Sequence, residues 1–165
     1  MSRVFIGLGS NLGDRLEHLF TAVRLLAAAP GIGVRQIAPI IETEPIGGPA
    51  GQAPYLNSVV EIETSLEPLA LLDRCQAIER QLGRAPSPEH WAPRPIDLDL
   101  LCYEDRLMTD PRLTIPHPRL HERWFVLEPF AQLAPSFIHP AQRRSIAELL
   151  AEVAPAPARQ PSRAE

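Results

Sequence analysis

The run RPIDLDLLCY, residues 94–103, sets two carboxylates, Asp97 and Asp99, into an apolar segment with the character of a strand. Successive strand side chains point to opposite faces, so the two acids share one face while Ile96, Leu98 and Leu100 share the other. Their Cα atoms are expected roughly 6.6 Å apart, at about 3.3 Å of rise per residue. Two like charges held that close cannot both be buried unless a proton, arginines or cations compensate them. Carboxylate oxygens with few nitrogen or sulfur donors nearby favour a hard cation, Mg2+, which keeps waters and binds phosphates beside one or two carboxylates. A pair of acids edging a solvated strand is the alternative reading.

The flanks weigh against that alternative. Arg84, Arg94, Arg112, Arg119 and Arg123 surround the acids in sequence, and arginines with Mg2+ make a charge set that clamps a polyphosphate. Taken singly, each could be a solvated surface residue. His117 stands between two prolines that fix its backbone, and between Arg112 and Arg123, which makes it a candidate phosphate-directed donor. Trp91 lies in the proline-rich stretch 84–95, where an aromatic either anchors a loop onto the body or seals a bound nucleotide. That stretch is too dense in proline for regular structure and is a lid candidate.

All 16 basic residues are arginine. Codon bias accounts for most of that, and the chemical consequence stands: a Walker lysine, a kinase strand lysine and a Schiff-base lysine are excluded. The glycine-rich GLGSNLG, residues 7–13, has the spacing G-x-G-x-x-x-G, one residue off a dinucleotide fingerprint, and lacks the acid about 20 residues on within a parallel unit. Its simpler role is tight strand-to-helix packing, with Asn11 bonding nearby backbone.

The elements that must hold these residues can be read from periodicity. Residues 3–8 form a strand. A helix follows from Asp14, with Glu17 at capping-box spacing and an expected buried stripe of Leu16, Leu19, Phe20, Val23 and Ala27. A second strand covers 33–43, a Gly/Pro-rich loop covers 45–54, and a third strand, 56–64, alternates with one wet face. Pro68 opens a helix with Leu71, Cys75, Ile78 and Leu82 on its apolar side and Gly83 as its stop. The Asp97/Asp99 strand comes next, then a turn-rich 104–123, an apolar FVLEPF segment, and a last helix begun by Ser145 and Glu148. The order β-α-β-β-α-β predicts an α+β sandwich of ferredoxin-like type, an antiparallel-rich sheet with helices packed on it.

A chain of 165 residues with 45% apolar content fits one domain, expected over 1–154 with a disordered Pro/Ala/Arg tail at 155–165. A net charge of -4 argues against nucleic acid or an anionic membrane as partner. Cys75 and Cys102 read as reduced core thiols, and the N-terminus is too weakly apolar for a signal peptide, so a cytoplasmic protein is expected.

Taken together, GLGSNLGD, TEPIG at 43–47, YLN at 55–57, WAPRPIDLDL at 91–100 and IPHPRL at 115–120 resemble the 6-hydroxymethyl-7,8-dihydropterin pyrophosphokinase family over roughly residues 3–153. The resemblance implies transfer of the β,γ-diphosphate of ATP as one unit to the pterin hydroxymethyl oxygen, leaving AMP; a monomer is expected. It implies that Asp97 and Asp99 hold two Mg2+ ions with ATP, and that Arg84 and Arg94 clamp the transferring group. Leu72, Gln76, Glu79, Trp91, Leu100, Arg112, Thr114, His117 and Arg123 would serve ATP. Thr43, Glu44, Pro45, Ile46, Tyr55, Asn57, Asp97 and Phe125 would serve the pterin, sandwiched between Tyr55 and Phe125. Pro86, His90 and Pro118 depart from some relatives. The rivals are a non-catalytic nucleotide-binding module and a two-metal phosphodiesterase, the latter lacking a His-Asp ligand cluster.

Overall fold

The computed structural model of the chain describes residues 1–45, 50–85 and 92–153. The tail expected at 155–165, and Ile46, Pro86, His90 and Trp91, lie outside the described residues.

The elements are β1 (Ser2–Ser10), α1 (Arg15–Ala28), β2 (Ile32–Ile37), β3 (Ile41–Thr43), β4 (Tyr55–Thr64), α2 (Pro68–Gln81), β5 (Asp97–Tyr103), β6 (Met108–Asp110), β7 (Leu113–Ile115), a 3-10 turn at Leu120–Glu122, α3 (Trp124–Leu133) and α4 (Ile146–Val153). The main sheet runs β2-β4-β1-β5, with β3 also on β4, and every pairing is antiparallel. Helix α1 joins β1 to β2 across β4, and α2 joins β4 to β5 across β1. That pair of split β-α-β units is the ferredoxin-like arrangement the sequence predicts.

Two apolar clusters lie on the sheet. Val4, Ile6, Leu8, Leu56, Val60, Ile62, Leu98 and Leu100 pack with α1 and α2. Phe5, Val59, Leu101 and Cys102 pack with Leu127 and Phe130 of α3 and Ile146 and Leu149 of α4. The third strand therefore has no wet face at Asn57–Val59, all of which is buried. Its expected polar side is covered because β4 is central and the FVLEPF segment folds back as α3 despite Pro129.

Helix α1 also differs from its expected phase. Asp14 caps it by accepting the Glu17 N–H, but the buried stripe is Leu19, Ala22, Val23 and Leu26, while Leu16 and Phe20 are exposed. The helix carries enough apolar residues for two overlapping i, i+3, i+4 stripes, and packing against the sheet selects one. Helix α2 follows expectation, with Pro68 in its first turn, Leu71, Cys75 and Ile78 buried, and Gly83 at φ +94° beyond its end. Ser145 and Glu148 cap α4 reciprocally, Ser145 Oγ accepting the Glu148 N–H at 3.1 Å.

Candidate active site

The sheet face that carries α3 and α4 is only half filled. Along β1 it presents Phe5, Gly7 and Gly9, and along β5 it presents Asp97 and Asp99 beside Leu101. In the β1/β5 register Gly9 faces Asp97 and Gly7 faces Asp99. Phe5 and Leu101 enter the apolar cluster. At the other end the glycines offer no side chain and the aspartates cannot be buried as apolar filling, so the space stays open. It forms a cavity of about 490 Å3 whose lining includes Thr43, Glu44, Pro45, Tyr55, Asn57, Arg94, Asp97, Asp99, His117, Arg123 and Phe125. Gly7, inside the strand read from the sequence, and Gly9, just beyond it, thus both belong to β1 and form the floor of this cavity, where tight strand-to-helix packing was expected. A Cβ on Gly9 would stand 3.3 Å from Asn57 Oδ1 and 3.6 Å from the Tyr55 ring.

Asn57 is buried and its Nδ2 donates to Thr43 Oγ1 at 2.6 Å. That bond fixes the amide and leaves Oδ1 as the acceptor it offers a ligand. Burial raises the Tyr55 phenol above its usual range, so the ring is neutral and suited to stack on a flat heterocycle. Arg123 lies over the Phe125 ring at 5.8 Å.

The two aspartates are compensated unequally. Asp97 accepts Arg84 at 2.8 Å on one oxygen and Arg94 at 3.3 Å on the other. Arg84 also pairs with Glu79 of α2. Glu79 is buried, accepts the Leu98 N–H at 3.1 Å, and is held above the usual carboxyl range chiefly by that burial. Asp99 has no guanidinium partner among the described residues. Burial first, and then Asp97 and Glu79, push its carboxyl up to about 7. Among the described residues no group of three His, Cys, Asp or Glu could hold a metal by itself. An all-oxygen pair whose inner member lacks positive charge suits a hard divalent cation that takes its remaining ligands from phosphate and water.

His117 is half-buried, and burial together with Arg123 lowers its pKa to about 4. It is therefore neutral near pH 7. Its Nδ1 accepts the Arg119 backbone N–H at 3.1 Å, so the proton sits on Nε2, a donor at the site. The imidazole also borders a second cavity of about 290 Å3, lined by Leu72, Leu98, Asp99, Leu100, Asp110, Arg112, Thr114 and Pro118. Asp99 and His117 belong to both cavities. Arg112, at the β6–β7 turn, ties that hairpin to α2 through Asp73 and through Gln76 at 3.4 Å.

The structure thus gathers Leu72, Leu100, Arg112, Thr114 and His117 at the smaller cavity, and Thr43, Glu44, Pro45, Tyr55, Asn57, Arg94, Asp97, Arg123 and Phe125 at the larger. Gln76, Glu79 and Arg84 lie behind these linings, on α2 and at its end.

A family model described as 7,8-dihydro-6-hydroxymethylpterin-pyrophosphokinase (HPPK) matches residues 5–135. The chain belongs to the HPPK family. It is 42% identical over 155 residues to the 2-amino-4-hydroxy-6-hydroxymethyldihydropteridine pyrophosphokinase of Methylorubrum extorquens, covering 94% of this chain and 96% of that protein. It is 41% identical over 146 residues to the folic acid synthesis protein fol1 of Schizosaccharomyces pombe, of which it spans 20% while 88% of this chain is covered. The fold matches the crystal structure of wild-type HPPK-DHPS of Plasmodium falciparum, with a TM-score of 0.70 at 13% identity, over 92% of this chain and 43% of that one.

In this HPPK chain sequence reasoning undervalued Asn11. It is 2% exposed. Its N–H donates to the Arg94 carbonyl at 3.1 Å and its Oδ1 accepts the Arg94 N–H at 2.9 Å. Its Nδ2 donates to Gln52 at 2.9 Å and to the Ala53 carbonyl at 3.4 Å. One side chain at the end of β1 therefore joins the loop before β4 to the segment before β5. Its backbone bonding was legible; the partners 41 and 83 residues away were not. Gln52, Arg119, Glu122, Trp124 and Val126 also line the larger cavity.

Proposed function

We propose that this chain transfers the β,γ-diphosphate of ATP as one unit to the hydroxymethyl oxygen of 6-hydroxymethyl-7,8-dihydropterin, giving AMP and the pterin diphosphate, a step of tetrahydrofolate biosynthesis. The observation that carries the reading is the meeting of two unlike cavities at Asp99 and His117. The larger offers two aromatic rings and a fixed amide, which suit a flat bicycle with a polar edge. The smaller offers Leu72 and Leu100 for a base, with Arg112 and Thr114 for phosphates. The junction is where a donor's phosphate and an acceptor's hydroxyl would face each other.

The hydroxymethyl oxygen bonds to the β-phosphorus, the bond from that phosphorus to the α,β-bridging oxygen breaks with its electron pair going to AMP, and the hydroxyl proton is released. Phosphoryl-type transfer asks a protein chiefly for positioning and charge stabilisation. Arg84 and Arg94 clamp the transferring group, Arg94 held by Asn11. His117 Nε2–H and Arg123 donate to phosphate oxygens. Tyr55 and Phe125 sandwich the pterin, and Asn57, Thr43, Glu44, Pro45 and Ile46 read its edge. Gln76, Glu79 and Trp91 serve the nucleotide side. Asp97 and Asp99 would hold two Mg2+ ions, which when bound neutralise the phosphates and lower the proton affinity of the hydroxyl. The catalytic unit is a monomer made of one domain, residues 1–154.

Incubation with ATP, Mg2+ and the reduced pterin tests the reading. AMP and a pterin diphosphate are expected. ADP as the nucleotide product, or ATP bound without turnover, would mean a different transfer or a binding module.

A further inference from the structure

The arginines facing the two cavities divide by partner. Arg94 is paired with Asp97 at 3.3 Å, and Arg112 with Asp73. Arg119 and Arg123 line the larger cavity and have no acid partner among the described residues. A guanidinium without an acid at a concave site is a ready counter-charge for an anion, and its planar fork suits phosphate oxygens. Arg119 begins the 3-10 turn that ends at Arg123, and its backbone N–H turns the His117 ring so that Nε2–H is the free donor. Three donors to an anion therefore come from one seven-residue stretch, His117 to Arg123, at the larger cavity.

Their side of the site decides what they hold. Arg119 lines the cavity with Tyr55, Asn57 and Phe125 and does not line the one with Leu72, Leu100 and Thr114. Transfer moves negative charge across that divide. The acceptor alcohol enters neutral and leaves carrying a diphosphate, so the larger cavity needs most positive charge after the reaction. We infer that Arg119 is a further binding residue of this enzyme, whose guanidinium holds the terminal phosphate of the diphosphate once it is on the pterin. The inference rests on the proposed reaction and adds a residue and a stage to it.

The test compares the full chain with Arg119→Gln and Arg119→Lys, titrating the pterin diphosphate, the pterin alcohol and a non-hydrolysable ATP analogue, each with Mg2+. Arg119 is exposed, and the Gln variant keeps the backbone N–H that orients His117, so the 15N signals of His117 should be unchanged. The Gln variant should bind the pterin diphosphate about tenfold more weakly, the size of one lost charge-assisted contact. The alcohol and the ATP analogue should change less than about twofold, and Lys should recover part of the loss. Unchanged affinity for the diphosphate in the Gln variant overturns the inference, as does an equal loss for the alcohol or a larger one for the ATP analogue. Any of these with wild-type AMP formation intact leaves the proposed reaction standing. A wild-type protein that forms no AMP overturns both.

Discussion

Asp97 and Asp99 leave the same face of β5, yet among the described residues guanidinium groups reach only Asp97. The asymmetry makes the two acids respond differently to the same substitution. Burial with two neighbouring acids pushes Asp99 up to about 7 from an ordinary 3.8. A raised folded-state pKa means that its contribution to stability is fully present below about pH 4 and is lost as pH rises towards 7. Asp99→Asn should therefore raise the thermal midpoint of the metal-free protein at about pH 8, by about 3–6 °C for about 1–2 kcal/mol, and the gain should vanish near pH 4. Asp97→Asn should lower the midpoint, because it takes the only carboxylate partner from Arg94 among the described residues and leaves Arg84 with Glu79 alone. Both should abolish turnover. Melting curves in a chelator check the signs, and an Asp99→Asn curve below wild type at pH 8 would contradict this account of the charge.

Gly9 sits under the aromatic end of the cavity, and a Cβ there would stand 3.3 Å from Asn57 Oδ1. Asn57 cannot retreat freely, since Thr43 holds it at 2.6 Å. Gly9→Ala should weaken pterin binding by about 5- to 150-fold, the range set by about 1–3 kcal/mol of overpacking. Binding of an ATP analogue should change little, because Gly9 does not line the smaller cavity. Separate titrations of the two ligands decide it. A parallel loss of both would place the effect in the fold instead of the floor.

What could be read from the chain ahead of its coordinates followed from local rules. The alternation of Asp97 and Asp99 with Leu98 and Leu100, the Pro68 and Asp14 helix starts and the Ser145–Glu148 cap need only a few neighbouring residues. The phase of α1 did not follow, because Leu16 and Phe20 are as apolar as the positions that are buried, and only the sheet chooses between them. Helix α3 was hidden by Pro129 and by aromatic residues that suit strands equally well. Without α3 the covering of β4 could not be foreseen. The same holds at the site: the acids and arginines were visible as types, whereas the division of one sheet face into core and cavity depends on which strands lie side by side.

His139 gives the protein an acid limb separate from its chemistry. It is 2% exposed, its Nδ1 accepts the Ala141 and Gln142 N–H groups at 3.2 and 3.0 Å, and burial, with His121 nearby, lowers its pKa to about 4. A lowered folded-state pKa contributes stability that is present above the unfolded value of 6.5 and lost as pH falls towards 4. The loss approaches about 3 kcal/mol when protonation is complete. His139→Asn keeps an acceptor for the two N–H groups and takes up no proton, so its stability should fall less steeply between about pH 6.5 and 4. Denaturant midpoints across that range measure the slope, and identical slopes in the two proteins would rule out His139 as a source.

Asn11 places Arg94, and that placement is the cheapest way to disturb the charge clamp without touching a charge. Its backbone N–H donates to the Arg94 carbonyl while its side-chain Oδ1 accepts the Arg94 N–H, and its Nδ2 donates separately to Gln52. Asn11→Ala removes the side-chain bonds, which are part-buried, at a cost of about 1 kcal/mol each. The Arg94 guanidinium is then aimed by the Asn11 backbone N–H alone, so the clamp closes on the transferring group less often. Turnover should fall by about ten- to a hundredfold, since small displacements of a positioning contact are amplified in the rate. The ATP analogue, whose cavity lies beyond His117, should bind about as in the wild type. Asn11→Asp keeps the acceptor for the Arg94 N–H and loses the donor to the other loop, so it separates the two straps: activity near wild type assigns the effect to Arg94, and activity as low as Ala assigns it to Gln52 and Ala53. Single-turnover rates beside analogue titrations carry the comparison, and an Ala variant with undiminished turnover would remove Asn11 from the account of how Arg94 is aimed.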